Sequence, residues 1–151
     1  MTAKTTLLLA APALWAALAL PFAFGTAAAD EMLTLVEHAT SDTVTDLGAK
    51  GDSAGDILTF ANDIFDKDNA KKVGSDNGWC ARTVAGKAWE CIWTVTLDEG
   101  QITVEGPYYD TADSVLAVTG GTGEYAEASG SMKLHARNDK GTEYDFVYTL
   151  K

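Results

Sequence analysis

Two polar side chains stand where an apolar one is expected, and any chemistry must start from them. Between Met32 and Ala39, simple alternation puts Leu33, Leu35 and Glu37 on one side. Between Asp56 and Phe65 it groups Leu58, Phe60, Asn62 and Ile64. A carboxyl turned into an apolar interior is costly unless it is paired, hydrogen-bonded or protonated. A buried amide needs partners too. Together Glu37 and Asn62 could hold a water or a ligand oxygen; the plain alternative places each at a rim, wetted by solvent. Arg82 lies on the Cys80 side of its segment, where it either faces inward and balances Glu37 or caps the rim. His38 and His135 fall outside the most apolar faces of their segments and read as exposed. The chain has no Gly-x-Ser-x-Gly elbow. Gly120-Gly121-Thr122-Gly123 is followed by neither a helix nor a lysine, so it reads as a turn and not as a phosphate cradle. No metal and no cofactor is expected.

The chain has 2 cysteines, Cys80 and Cys91, with no histidine at metal-ligand spacing. Residues 79–91 read as a hairpin centred on Ala85-Gly86, and a two-residue loop there sets Cys80 across from Cys91. An even count in an exported chain favours a disulfide; two buried thiols are the alternative. Unbroken alternation makes this a hydrogen-bonded pair, the less comfortable site for a bridge, so a bulge that shifts it is anticipated.

The elements that position these groups are strands. Residues 1–29 read as a secretory signal peptide: Lys4, an apolar stretch from Leu7 to Phe24, then Ala27-Ala28-Ala29 before Asp30. Residues 30–151 are the folded domain, and a secreted or periplasmic location follows. Period-two alternation predicts strands near 32–39, 56–65, 78–84, 88–97, 101–106, 114–119, 129–137 and 142–150. Residues 66–76 read as a charged turn with a short extended piece around Lys72-Val73-Gly74. Eight short strands joined by tight turns, with no helical pattern, predict an all-β, eight-stranded antiparallel up-and-down barrel or a sandwich. Trp89, Cys91, Trp93, Val95 and Leu97 share one side, and Tyr144, Phe146, Tyr148 and Leu150 share another. Their interior is either a ligand pocket or a plain packed core.

Charge narrows the partners. With 22 acidic against 11 basic residues and a formal net charge of -11, the chain is unsuited to phosphate backbones and to anionic membrane surfaces. Hydrophobic residues make up 46%, an ordinary globular composition.

Several blocks resemble one family. Residues 55–65 (Gly-Asp-Ile-Leu-Thr-Phe-Ala-Asn-Asp-Ile-Phe) look like the second-strand motif of allene oxide cyclases, with Val73-Gly74 and Gly78-Trp79-Cys80 at matching spacings. Gln101–Tyr108, containing Gly-Pro-Tyr, and Leu116–Gly123, containing Ala-Val-Thr-Gly-Gly-Thr-Gly, are similar to blocks of the allene oxide cyclase and dirigent barrel superfamily, as is Tyr144–Lys151. The resemblance implies an eight-stranded barrel with a hydrophobic cavity, often assembled as a homotrimer. It implies that Asn62 and Glu37 stand at the family's catalytic asparagine and glutamate, and Cys80 at a cysteine of the lumen. Ala39 replaces the second asparagine of the plant enzymes, and their Ser-Pro pair has no counterpart after Glu37.

The function expected from residues and resemblance together is a cofactor-independent isomerase or cyclase that folds a small hydrophobic substrate inside the lumen. Asn62 would fix a water or a substrate oxygen, and Glu37 would steady developing positive charge. Phe60, Trp89, Trp93, Tyr108 and Tyr148, with Arg82, would shape the cavity. The rival is a lipocalin-like or dirigent-type binder that releases its small hydrophobic molecule unchanged; a third reading is a filled barrel with a structural role.

Overall fold

The computed structural model describes residues 30–151. The signal-peptide reading of residues 1–29 lies outside them. Nine strands follow one another: β1 (Glu31–His38), β2 (Thr43–Thr45), β3 (Ile57–Asp66), β4 (Lys72–Val84), β5 (Ala88–Leu97), β6 (Gly100–Tyr109), β7 (Ser114–Gly123), β8 (Gly130–Ala136) and β9 (Glu143–Leu150). Each of β3 to β8 pairs antiparallel with the next in sequence. β1 pairs with β9 on one side and with β3 on the other, which closes an eight-stranded up-and-down barrel. Closure leaves only the short outer side of β2 unpaired. The ninth strand, β2, is a continuation of β1. It lies on the same side of β3, against Ile57–Thr59, while β1 holds Asp63–Asp66. The chain therefore breaks at residues 39–42, and that break matters for the site.

Alternation makes the barrel wall. On β5 Trp89, Cys91, Trp93 and Val95 are buried, as are Phe146, Tyr148 and Leu150 on β9, while Glu90 between them is exposed. Among the described residues no helix is long and apolar enough to cross a membrane.

Three expectations are corrected. The short extended piece around Lys72-Val73-Gly74 is not separate but the first part of β4, which runs on unbroken to Val84. Gly120–Gly123 is the end of β7, not a turn, and the chain reverses after it. Gln101–Gly106 is a strand that runs on through Pro107 to Tyr109. Glycine misled all three. A Cβ at Gly78 would collide with Trp93 Cβ and the Ile92 carbonyl, and one at Gly121 with the carbonyls of Gln101 and Tyr125. These glycines allow strands to approach closely; they do not end them.

Cys80 sits directly opposite Cys91, and the two form a disulfide. The register shifts between Arg82 and Val84, and the Cα atoms of the pair are 4.0 Å apart, the narrow spacing of a non-hydrogen-bonded pair. The anticipated bulge lies between the cysteines and the turn of their hairpin.

Candidate active site at the open end of the barrel

The lumen divides lengthwise. Toward the end where β7 stops and β8 starts, Val95, Ile102, Val104 and Met132 are fully buried, and Tyr125 and Ala128 pack over them. Toward the opposite end, where β6 stops and β9 starts, lies a cavity of about 40 Å³. Its apolar walls are Leu58, Phe60, Trp93, Leu134 and Phe146 with the Cys80–Cys91 disulfide; its polar atoms come from Glu37, Asp42, Tyr108 and Tyr144. Such a volume holds a few water molecules.

Asn62 organises the break between β1 and β2. Its Oδ1 accepts from the backbone N–H of Thr40 and of Ser41, each at 3.0 Å. The Ser41 hydroxyl lies 2.9 Å from the same oxygen and 2.7 Å from the Ala61 carbonyl, sharing its one proton between them, and accepts from Ala61 N–H at 2.8 Å. Because two backbone N–H groups must meet the oxygen, the amide nitrogen must face the other way. It donates to Glu37 Oε1 at 2.8 Å and to Asp42 Oδ1 at 3.0 Å. One side chain thus supplies the missing ladder bonds of a broken strand and aims a carboxyl. Asn62 makes these contacts with protein and is not part of the cavity wall.

Behind Glu37 stands Asp76, which sequence reasoning missed. It is paired with Asn62 across β3 and β4, and its Oδ1 accepts from the Asn62 backbone N–H at 3.1 Å. Its Oδ2 is buried without a protein partner, as are Trp93 Nε1 and Tyr148 Oη. Alternation back from Cys80 through Gly78 reaches Asp76, so the signal was present once β4 is extended. Burial, then the neighbouring Asp76 charge, pushes the Glu37 carboxyl well above the usual carboxylate range. Burial likewise pushes Asp76 up, to about 6, although Glu37 and the Asn62 amide pull it back. Two carboxyls in contact in a nearly dry site cannot both ionise cheaply. The pair therefore holds a proton well beyond the usual carboxylate range, and Glu37, the more deeply buried of the two, binds it more tightly than Asp76.

The remaining candidates separate. Phe60, Trp93 and Tyr108 line the cavity with Glu37 and the disulfide. Trp93 packs against both Phe60 and Phe146, with ring centres at 6.0 and 5.6 Å. Tyr148 is fully buried below the cavity and is not in its wall. Trp89 lies under Arg82, whose guanidinium carbon sits 4.1 Å from the ring centre. Arg82 itself is held at 2.6 Å by both Asp52 and Asp110 and does not reach Glu37. It fastens the 46–56 connection to the β6–β7 turn. Asp42, Leu58, Leu134, Tyr144 and Phe146 join the site without having been singled out. His38 bonds Asn69 Oδ1 at 2.7 Å and stacks on Phe65, and His135 bonds Asp113 at 2.7 Å; both lie outside the cavity.

A small antiparallel barrel with carboxyl groups at one end of an otherwise apolar lumen is the class of protein defined so far. The allene oxide cyclase family model matches residues 35–141, and the chain belongs to that family. Among solved structures it is similar to a pyocyanin demethylase, at 27% identity and TM-score 0.67, over 78% of this chain and 100% of the other. It shares its fold with a pterocarpan synthase dirigent protein (16% identity, TM-score 0.63, 81% and 96% covered). It also shares it with an exo-specific intermolecular Diels-Alderase (12% identity, TM-score 0.65, 82% and 98% covered).

Proposed function

We propose that this chain is a cofactor-independent isomerase or cyclase that takes a small hydrophobic substrate into the open end of the lumen and directs its ring closure. The observation that carries the reading is the carboxyl pair. A buried acid that holds its proton well above the usual carboxylate range, set in an apolar wall beside a second acid, is destabilising and has no packing role. Chemistry gives it one. The proton that Glu37 shares with Asp76 swings to a substrate oxygen as charge builds there, and the negative charge left on the pair steadies positive charge developing on the carbon skeleton. Asn62 is a positioning residue in this scheme, aiming Glu37 and keeping the strand break intact. Phe60, Trp93, Tyr108 and the disulfide confine the flexible substrate near its reactive shape.

Family membership supports the reading, and relatives named for demethylation and cycloaddition support a catalytic use of this barrel. The Cys80–Cys91 bridge supports an oxidising compartment, hence secretion or export to the periplasm after loss of residues 1–29. A homotrimer is proposed with it; exposed Trp79 and Val115 on the outer wall favour burial against another copy.

The test is chromatography with mass spectrometry of polyene and fatty-acid epoxide substrates incubated with the protein. Isomeric product of unchanged mass is expected, with Glu37→Gln lowering turnover by about a hundredfold, the contribution of a positioned acid. Turnover untouched by Glu37→Gln and by Asn62→Ala would remove both assigned roles. The second reading, a carrier, rests on the apolar wall of Leu58, Phe60, Trp93, Leu134 and Phe146; it predicts tight binding and ligand recovered unchanged.

A further inference from the structure

Three buried polar atoms have no protein partner: Asp76 Oδ2, Trp93 Nε1 and Tyr148 Oη. A buried donor or acceptor left unmade is costly, and folded interiors leave few of them. Strand register brings these three side chains together. Asp76 on β4 stands opposite Val95, and Trp93 on β5 stands opposite Gly78, so the two are diagonal neighbours on one inner face. Gly78 puts no side chain between them, and a Cβ there would collide with Trp93 Cβ. The Trp93 ring packs on Phe146, with centres 5.6 Å apart, and Tyr148 is the next inward residue of β9. Burial, then the charges of Asp76 and Glu37, raises the Tyr148 phenol, so its hydroxyl lies in the field of both acids. Neither Asp76 nor Tyr148 is in the wall of the open-end cavity.

The chemistry of the three atoms selects their ligand. An indole N–H only donates, a phenol has one proton to donate, and an ionised carboxylate only accepts. An anion would be repelled by Asp76, and a metal ion would meet the indole N–H, so neither suits the set. One water molecule suits it: it accepts from Trp93 and Tyr148 and donates to Asp76 Oδ2, three bonds, the usual number for a buried water. We propose that Asp76, Trp93 and Tyr148 form an internal water site behind Glu37, and that Tyr148 is a positioning residue that acts through this water to keep the negative charge of the acid pair on Asp76. Two neutral donors then serve the Asp76 carboxylate through the water, in addition to the Asn62 backbone N–H. Donors that polarise a shared water strengthen the bond it gives. Glu37, which accepts from the Asn62 side chain, draws nothing from this site and is left with the proton. The other groups in play are Asp42, which faces both acids, and Tyr125, which faces Tyr148 from the closed end. The use of that proton in catalysis rests on the reading of Glu37 as an acid; the water site itself does not.

The experiment is NMR of the nitrogen-15-labelled protein, with no substrate present. The Trp93 indole N–H, identified by its loss in Trp93→Phe, is expected to show cross-relaxation with a long-lived water. Its resonance is expected to move with pH through the lower midpoint of the acid pair, about 6. Tyr148→Phe keeps the ring and removes one donor; it is expected to raise that midpoint by about one pH unit, the size of one hydrogen bond. Tyr125→Phe removes the neighbouring phenol and is expected to leave the midpoint where it is. A wild-type indole N–H with no water signal overturns the water site, even if the midpoint moves in Tyr148→Phe, because Tyr148 then bonds Asp76 directly. A midpoint unmoved in Tyr148→Phe, at a wild-type melting temperature, overturns the positioning role. Should Tyr148→Phe fail to fold, the water signal and the pH shift of the wild-type indole decide alone. Turnover of Glu37→Gln bears on the cyclase reading and leaves this one untouched.

Discussion

The two ends of the lumen are built from the same strands and by the same alternation, yet they hold different things. At the closed end Val95, Ile102, Val104 and Met132 are all 0% exposed. At the open end β1 contributes Glu37, β6 contributes Tyr108 and β9 contributes Tyr144, and Asp76 of β4, opposite Val95, backs Glu37 from the level of the packed end. The closed end supplies stability through close packing. The open end holds groups that cost stability, above all two acids in contact. A barrel wall that is continuous through hydrogen bonds lets one end carry the other, and that is why an unfavourable arrangement can persist at the open end.

The comparison can be broken first where the effect is largest. Ile102→Ala at the closed end is expected to lose about 2–5 kcal/mol of stability in urea unfolding, and Leu58→Ala in the cavity wall less than half as much, because the cavity already leaves it short of neighbours. Equal losses would mean the two ends are packed alike. Next comes the staple of the open end. Replacing Cys80 and Cys91 with alanine is expected to cost about 2–4 kcal/mol by thermal or chemical unfolding, with the closed-end strands still protected longest in hydrogen exchange.

Asp76→Asn goes in the opposite direction. Both carboxyls of the pair bind their proton more tightly in the folded state than in the unfolded chain. Their penalty is absent well below the unfolded values and grows as pH rises through about 6, so stability falls over that range. Asparagine keeps the acceptor for the Asn62 N–H and relieves the repulsion. It is expected to stabilise the protein by up to about 3 kcal/mol above pH 6, the equivalent of moving Asp76 from 3.8 to about 6, and to flatten the pH dependence of the melting temperature. Smallest is Ser41→Ala, which removes one bridging hydroxyl from the strand break and is expected to cost about 1 kcal/mol.

Legibility in the sequence followed the same division. Where apolar and polar residues alternate without interruption, as on β5 and β9, face and pairing could be read directly, and the Cys80–Cys91 register followed from the hairpin. β2 could not be read, because three exposed residues, Thr43–Thr45, carry no alternation. Asp76 was hidden by its surroundings: Gly74, Ser75, Asn77 and Gly78 look like a turn, and only the tight approach of Trp93 and Thr96 explains the glycines as strand residues. Glu37 and Asn62 stood out as odd residues on apolar faces. What each does could not be read, since the partners of the Asn62 amide come from the backbone of residues 40 and 41, fixed by a break that has no signature of its own.

The central claim is that one proton is retained in the acid pair at the open end. Carbon-13 NMR of the side-chain carboxyls through a pH titration tests it most directly. The account predicts that Glu37 remains protonated at neutral pH while Asp76 titrates near about 6. Finding both side chains fully ionised by about pH 5, as freely solvated carboxyls nearly are, would contradict it.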